Sequence, residues 1–193
     1  MALTSSVTPL SKVDRGEVQK AIDALYPHET YHGWVELRCV YQSGKIAQKF
    51  FKRCEVHLAN AISDYLEKSG ASGRANVYIG RALRDEENRG GARDVSLVQS
   101  VSLDIDPVRA DASRPATAAE CSVAMEAAQY VKGWVGQAYR ASYCWVVSSG
   151  NGVQLWYPLD TPVDVRGRRR WWEAAQRAWE ESCRKALSKS GLS

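Results

Sequence analysis

The chain has 193 residues, of which 45% are hydrophobic and 25% charged, with a formal net charge of +4 at pH 7. This composition predicts one globular domain over residues 1–193, and no apolar run approaches the roughly 18 residues of a membrane-spanning helix. The N-terminal stretch has neither the charged start nor the apolar centre of a signal peptide, so we expect a cytoplasmic protein that does not contact membranes. The 5 cysteines lack CxxC spacing, which argues against a zinc ribbon and a disulfide framework.

The first half of the chain alternates between helical and strand patterns. Asp14 and Glu17 form a capping box at the start of the first helix. Two apolar stretches flank the turn QSGK and predict a hairpin. In chain order we predict a helix, a hairpin, a helix and a strand, at residues 15–26, 34–51, 53–68 and 75–80.

The second half begins with a loop rich in Gly and Arg and returns to the core through a strand. Thr117 and Glu120 form a second capping box and open a helix. We predict strands at 95–106, 142–149 and 153–160, and a last helix at about 165–189. Because helices and strands are intermixed and no linker divides them, we predict an α+β (mixed α/β) domain with a mixed sheet.

Two aspartates interrupt the apolar strand VSLDID. Side chains alternate along a strand, so Val101, Leu103 and Ile105 are predicted to face the core, while Asp104 and Asp106 share the other face. Their Cα atoms would lie roughly 6.5 Å apart, and the two carboxylates could converge on a divalent cation. The alternative is a solvated strand end that opens a turn at the following Asp-Pro step.

The stretch HETYH at residues 28–32 matches the zinc-protease pattern by its letters. That pattern binds zinc only within a helix, where two imidazoles one turn apart share a face. Pro27 precedes the stretch and Gly33 begins a strand after it, so the helix has no room. We therefore reject zinc-protease chemistry.

Positive charge is concentrated around the Gly-rich loop and at the start of the last helix. Such clusters attract the phosphates of nucleotides or nucleic acids, although a solvated charged surface is the alternative. Trp172 and Trp179 are one heptad apart and are predicted to pack in the core. An aromatic ring beside arginines is typical of single-strand binding. We predict nucleic-acid contacts at Arg89, Arg93, Arg168, Arg170 and Trp171.

Three stretches follow one another in a defined order: NVYIGRALR, VSLDID and SSGNGVQLWYPLD. Together they resemble the catalytic core of the archaeo-eukaryotic primase superfamily, in particular the primase-polymerases of plasmids, phages and other mobile elements. The resemblance extends from about Gly33 to the end of the chain. It implies a primase-like core with an RRM-like mixed sheet. It also implies a DNA primase or polymerase that transfers NTPs or dNTPs on a DNA template, in the replication or repair of a mobile element.

The resemblance also implies roles for individual residues. Asp104 and Asp106 match the acids that bind catalytic Mg²⁺ or Mn²⁺. Nucleotide contacts are implied for an arginine after the first stretch and for the strand-turn-strand unit: Arg84, Ser148, Ser149, Gly150, Asn151, Gly152 and Gln154. The hydroxyls and turn amides of that unit could form an anion-binding nest. The implied partners are a single-stranded DNA template, nucleoside triphosphates, and a helicase or other replication protein.

Two departures from the family pattern bear on activity. Gln154 stands where the family usually has a histidine; glutamine donates a hydrogen bond but cannot become a cation. The family's third metal-binding acid normally follows the next helix, yet no aspartate follows Asp164. Asp160 is a conceivable substitute, whereas the later glutamates are predicted to be exposed helix positions: Glu173, Glu180 and Glu181. Either the missing segment lies beyond Ser193, or the protein is a shortened, inactive relative.

Two other functions compete with a polymerase. A noncatalytic module of the same fold would bind nucleic acid or nucleotide only; the glutamine and the missing acid favour it, and the intact aspartate pair opposes it. A DxD glycosyltransferase would also use paired acids to hold a metal. That class needs an N-terminal nucleotide-binding array of parallel βαβ units, which the element order does not provide.

Overall fold

A computed structural model describes residues 13–27, 32–53, 57–71, 74–86, 94–109, 114–141, 143–148 and 151–191. These residues form a mixed α+β fold with four helices and seven strands. The chain divides into two compact units, Met1–Val95 and Ser96–Ser193. Among the described helices, none has the length and apolar character that crossing a bilayer requires.

The first unit contains two helices and four strands: α1 (Arg15–Leu25), β1 (Trp34–Tyr41), β2 (Ile46–Lys52), α2 (Leu58–Lys68), β3 (Ala75–Ile79) and β4 (Ala82–Arg84). β1 pairs antiparallel with β2 over its length and with β3 over its second half, and β4 joins it through Trp34 opposite Arg84. The predicted hairpin is confirmed. β4 falls in a segment predicted as loop, because three residues are too short for a periodic pattern.

One face of β1 forms the core of the first unit. Val35, Leu37 and Cys39 alternate along the strand and are fully buried. Phe51, opposite Val35 on β2, packs its ring edge-to-face against Tyr65 of α2 at 6.0 Å. The helices therefore cover this face, and the alternate residues of β1 point to the other one.

The second unit contains three strands and two long helices: β5 (Val95–Ile105), α3 (Ala118–Tyr139), β6 (Trp145–Ser148), β7 (Val153–Asp164) and α4 (Arg169–Ser190). β7 lies between β5 and β6 and is antiparallel to both. The sequence predicts a mixed sheet, but every strand pair described within either unit is antiparallel. β6 does run in the same direction as β5; the insertion of β7 between them removes the parallel contact.

The core of the second unit lies between this sheet and its two helices. Ile105 and Leu155 of the sheet pack with Val131 of α3 and Cys183 of α4, and Val101 and Leu103 pack against the same cluster. The predicted core face of the VSLDID strand is thereby confirmed. Further members are the buried positions of α3 and a tyrosine of β7: Ala124, Ala127, Ala128, Val135 and Tyr157. Trp179 of α4 is partly buried and packs against this cluster.

Both predicted capping boxes mark real helix starts. The Asp14 carboxylate accepts a hydrogen bond from the Glu17 N–H at 3.1 Å. Thr117 and Glu120 exchange both bonds of the capping box at the start of α3. The second helix begins at Leu58, later than predicted, and β7 continues beyond its predicted end to Asp164.

Candidate functional site

The strand register of the second unit places Asp104 directly opposite Gln154 of β7, which in turn is opposite Val147 of β6. Directly opposed residues point to the same face of a sheet, with Cβ atoms about 5 Å apart. Asp104 and Gln154 are therefore neighbours on the face away from Leu103 and Leu155, which pack in the core. Two stretches that are 50 residues apart in sequence meet at this point.

The Gln154 amide is oriented by a tryptophan on the same strand. Trp156 Nε1 lies 3.2 Å from Gln154 Oε1, and an indole N–H can only donate a hydrogen bond. The amide oxygen must therefore face the indole, and the amide NH₂ group points elsewhere. The NH₂ group of Gln154 is thus a neutral hydrogen-bond donor that lies opposite Asp104 in a fixed orientation.

Asp106 follows the end of β5 and lies against the turn that precedes β7. A Cβ atom placed on Gly152 would stand 2.5 Å from Asp106 Oδ1 and 2.5 Å from the Ile105 carbonyl oxygen. Real Cβ atoms do not approach backbone oxygen so closely, so only glycine fits at this position. The absence of a side chain at Gly152 allows the turn to pack directly on Asp106.

The other residues predicted in the strand-turn-strand unit have different positions. Asn151 Oδ1 accepts a hydrogen bond from the Ala116 N–H at 3.1 Å, which ties the turn to the segment before α3. Ser148 ends β6 opposite Val153 and is exposed. Ser149 and Gly150 lie outside the described residues, so the predicted anion nest stays a prediction.

A cleft of about 350 Å³ lies beside the two aspartates. Its walls come from the end of β5, from α3 and from the second half of α4: Leu103, Asp104, Ile105, Asp106, Val131, Glu180, Cys183, Arg184 and Leu187. The sequence predicts an exposed position for Glu180, but the residue is half-buried and lines this cleft. The signal was its spacing, because Glu180, Cys183, Arg184 and Leu187 share one face of a helix.

Gln176 connects this part of α4 to β5, the strand that carries Asp104, through hydrogen bonds. Gln176 Nε2 donates to the Ser102 carbonyl oxygen at 2.8 Å and to Glu180 Oε1 at 2.9 Å. Burial, and after it the charge of Glu180, raises the pKa of the Cys183 thiol to about 11. The α4 wall of the cleft therefore contains the carboxylate of Glu180, the guanidinium of Arg184 and a thiol that is neutral at physiological pH.

Asp160 does not belong to this site. It lies six residues beyond Gln154 on the same strand, which is about 20 Å at strand spacing. Carboxylate oxygens bind Mg²⁺ or Ca²⁺ at about 2.0–2.6 Å, so Asp160 and Asp104 cannot share an ion. Within the part of the chain that the structure describes, no group of three or more His, Cys, Asp or Glu side chains could hold a metal ion.

Arg84 belongs to the first unit and is buried there. Its guanidinium forms an ion pair with Glu36 through Nη2, and its Nη1 lies 4.0 Å from Asp94 Oδ2. Burial alone would raise the pKa of Glu36, but hydrogen bonds from Gln48, Arg84 and Arg38 outweigh it and hold the pKa below the ordinary value. These contacts lie within the first unit, and the predicted nucleotide contact of Arg84 stays a prediction.

The start of α4 presents the predicted aromatic and basic residues. Trp171 is 59% exposed, and its ring centroid lies 6.5 Å from that of Trp172. Arg168 precedes the helix and Arg170 lies in its first turn, and both are exposed. Trp179 packs against the core, as predicted, whereas Trp172 is half-buried and is not part of the core cluster of the second unit. The predicted contacts Arg89 and Arg93, and residues 28–31 of the HETYH stretch, lie outside the described residues.

No protein-family model matches the sequence, and no curated protein matches it significantly.

Proposed function

We propose that the protein is a nucleotidyltransferase-like module of the primase-polymerase type, which binds a divalent cation and a nucleoside triphosphate at Asp104 and Asp106. The observation that carries the proposal is the β5–β7 register, which sets Asp104 opposite Gln154. The resemblance implies a sheet covered by helices, with metal-binding acids on one strand and nucleotide contacts on the neighbouring strand.

The two aspartates fit Mg²⁺ or Mn²⁺ by their donor chemistry. Hard cations prefer carboxylate oxygens, and Asp104 and Asp106 are both exposed. When bound, such an ion would neutralise the phosphates and polarise the reacting phosphoryl group. Residues of the chain would have two further roles. The Gln154 amide would donate a hydrogen bond to a phosphate oxygen, and the turn at Gly152 would hold Asp106 in place.

A second candidate function is a module of the same fold that binds nucleotide or nucleic acid without turnover. The observation that favours it is that no third carboxylate groups with the two aspartates among the described residues. Holding two metal ions about 3.5–4 Å apart usually takes more ligands than a single pair of aspartates. We therefore expect binding together with weak polymerisation or none.

The experiment is a calorimetric titration with Mn²⁺ of the wild type and of Asp104→Asn. Asn has nearly the same shape but lacks the charge, so the variant should lose the Mn²⁺ site while its unfolding curve stays close to that of the wild type. Asp160→Asn is the matched control, because it removes an aspartate about 20 Å along the sheet. Equal Mn²⁺ binding by wild type and Asp104→Asn would refute the proposed site.

Primer extension with Mn²⁺ then separates the two candidates. Extension by the wild type that disappears in Asp104→Asn would establish the transferase. Mn²⁺ and nucleotide binding without extension would establish the noncatalytic module. Robust extension that survives in Asp104→Asn would contradict both.

A further inference from the structure

A row of polar and aromatic side chains crosses the sheet of the first unit, on the face away from the helices. Arg38 of β1 lies opposite Gln48 of β2 and opposite Tyr78 of β3. Because opposed residues point to the same face, the three side chains form one row across three strands. Tyr78 is 55% exposed at the end of this row.

The guanidinium of Arg38 is held in place beside this ring. Arg38 Nη2 donates to Glu36 Oε1 at 2.7 Å, and Gln48 Nε2 donates to the same oxygen at 2.5 Å. Glu36 is buried, whereas the Arg38 side chain remains 49% exposed. An arginine that is fixed at one edge and exposed at the other loses little conformational entropy when it binds a phosphate.

The backbone beneath the row is equally fixed. The Gly80 N–H donates to the Glu36 carbonyl oxygen at 2.8 Å, and the Tyr26 hydroxyl donates to the Gly80 carbonyl oxygen. A Cβ atom on Gly80 would lie 3.3 Å from Glu36 Cβ, so glycine keeps the floor of the adjoining cleft open. This cleft has a volume of about 410 Å³ and is lined by Glu36, Arg38, Val40, Tyr78, Ile79 and Gly80.

A second cleft continues the first along β1. Its volume is about 310 Å³, it shares Val40 with the first cleft, and its lining includes Arg74 and Asn76. The combined groove follows β1 from Glu36 to Tyr41, which is about 17 Å at strand spacing. It is long enough for more than one nucleotide and carries an arginine beside each cleft.

The charge and the exposed ring together identify the kind of occupant. Arg38 and Arg74 are cationic, and the carboxylate of Glu36 is already paired with Arg84 and Arg38. A groove with net positive charge attracts a polyanion, and an exposed ring beside it offers a stacking surface for a base. A duplex would keep its bases stacked on one another and would leave Tyr78 unused.

We propose that this β1–β3 groove binds single-stranded nucleic acid, with Tyr78 stacked on a base and Arg38 and Arg74 contacting phosphates. The site consists of residues of the first unit only. It does not require that Asp104 and Asp106 bind a metal.

The test is fluorescence anisotropy with a labelled oligothymidylate of about 20 nucleotides, longer than the site of one binding module, in the presence of EDTA. Tyr78→Ala should weaken binding by about tenfold, within the range for one lost base–aromatic stack. Tyr78→Phe should bind like the wild type, because it keeps the ring. Tyr130→Ala is the matched control, since Tyr130 is an exposed tyrosine on α3.

The salt dependence tests the phosphate contacts separately. Arg74→Ala should reduce the slope of log K against log salt by about 0.7, the value for one phosphate contact on a single strand. An unlabelled duplex should compete more weakly than an unlabelled single strand. Equal affinity of Tyr78→Ala and wild type, or no detectable binding by the wild type, would overturn the proposal.

The same variants separate this proposal from the proposed metal site. Asp104→Asn should retain single-strand binding in EDTA, and Tyr78→Ala should retain Mn²⁺ binding. Loss of single-strand binding in Asp104→Asn under these conditions would show that the nucleic acid binds elsewhere and would overturn the proposed groove site. A failed Mn²⁺ titration leaves the anisotropy result unaffected.

Discussion

Replacing Arg84 by alanine tests whether the buried ion pair with Glu36 is structural. Both side chains are only 9% exposed, and removing one partner of a buried pair typically costs about 3–5 kcal/mol. Glu36 would keep its hydrogen bonds from Arg38 and Gln48, so its charge would not be left without partners. We therefore expect Arg84→Ala to lower the free energy of unfolding by about 3 kcal/mol, the low end of that range.

The assay is urea denaturation followed by tryptophan fluorescence and by circular dichroism. Arg15→Ala is the matched control, because Arg15 pairs with Asp64 and Glu67 while its own side chain is 42% exposed. Exposed pairs contribute about 0–1 kcal/mol. If Arg84→Ala lowers the free energy of unfolding by less than about 1 kcal/mol, as Arg15→Ala does, the ion pair has no structural role. If nucleotide binding were then lost, Arg84 would have the role that the family resemblance implies.

The pH dependence gives an independent check on the same pair. The pKa of Glu36 is lowered in the folded state by its hydrogen bonds, so the carboxylate stabilises the fold above its unfolded pKa of about 4.3. That stability is lost as the pH falls through the folded pKa. Arg84→Ala removes one of the groups that lower the pKa. The acid unfolding of the variant should therefore begin at a higher pH than that of the wild type.

Two further predictions concern backbone positions in the second unit. Gly152→Ala should lower the free energy of unfolding by about 1–3 kcal/mol, the usual cost of overpacking, and should weaken Mn²⁺ binding in calorimetry, because the new Cβ displaces Asp106. The control is Gly133→Ala, because a Cβ atom at Gly133 meets no other atom. Equal effects of the two substitutions would contradict the packing argument. Thr117→Ala should cost about 0.5–2 kcal/mol in urea denaturation through loss of the α3 cap, and an unchanged midpoint would show that the cap is dispensable.

Local signals in the sequence predicted most of the elements. Capping boxes and turn residues act over three or four positions, so the starts of α1 and α3 and the hairpin of β1 and β2 could be identified directly. The alternation of VSLDID likewise predicted which residues of β5 face the core. Pairing between distant strands has no such local signal. The position of β7 between β5 and β6 therefore emerged only from the structure.

In the candidate site, too, contacts between residues distant in the sequence could not be predicted. The sequence singled out Asp104 and Asp106 from their spacing, but it could not show that Glu180 lines the same cleft, because that depends on how α4 packs against β5. The buried pairing of Arg84 with Glu36 was also missed, since the two residues lie 48 positions apart. Tyr78 gave no signal as a possible ligand contact, because tyrosine is common in strands of any kind.

The residue opposite Asp104 explains why we expect binding to exceed turnover. With its oxygen facing Trp156, the Gln154 amide can only donate toward a ligand on this face, which suits an anionic phosphate in the ground state. Charge builds up on the phosphoryl oxygens during transfer, and hydrogen bonds from a cation are roughly twice as strong as those from a neutral donor. A neutral amide gains less than a cation as that charge develops. The same side chain therefore supports affinity for the nucleotide while contributing little to the lowering of the barrier.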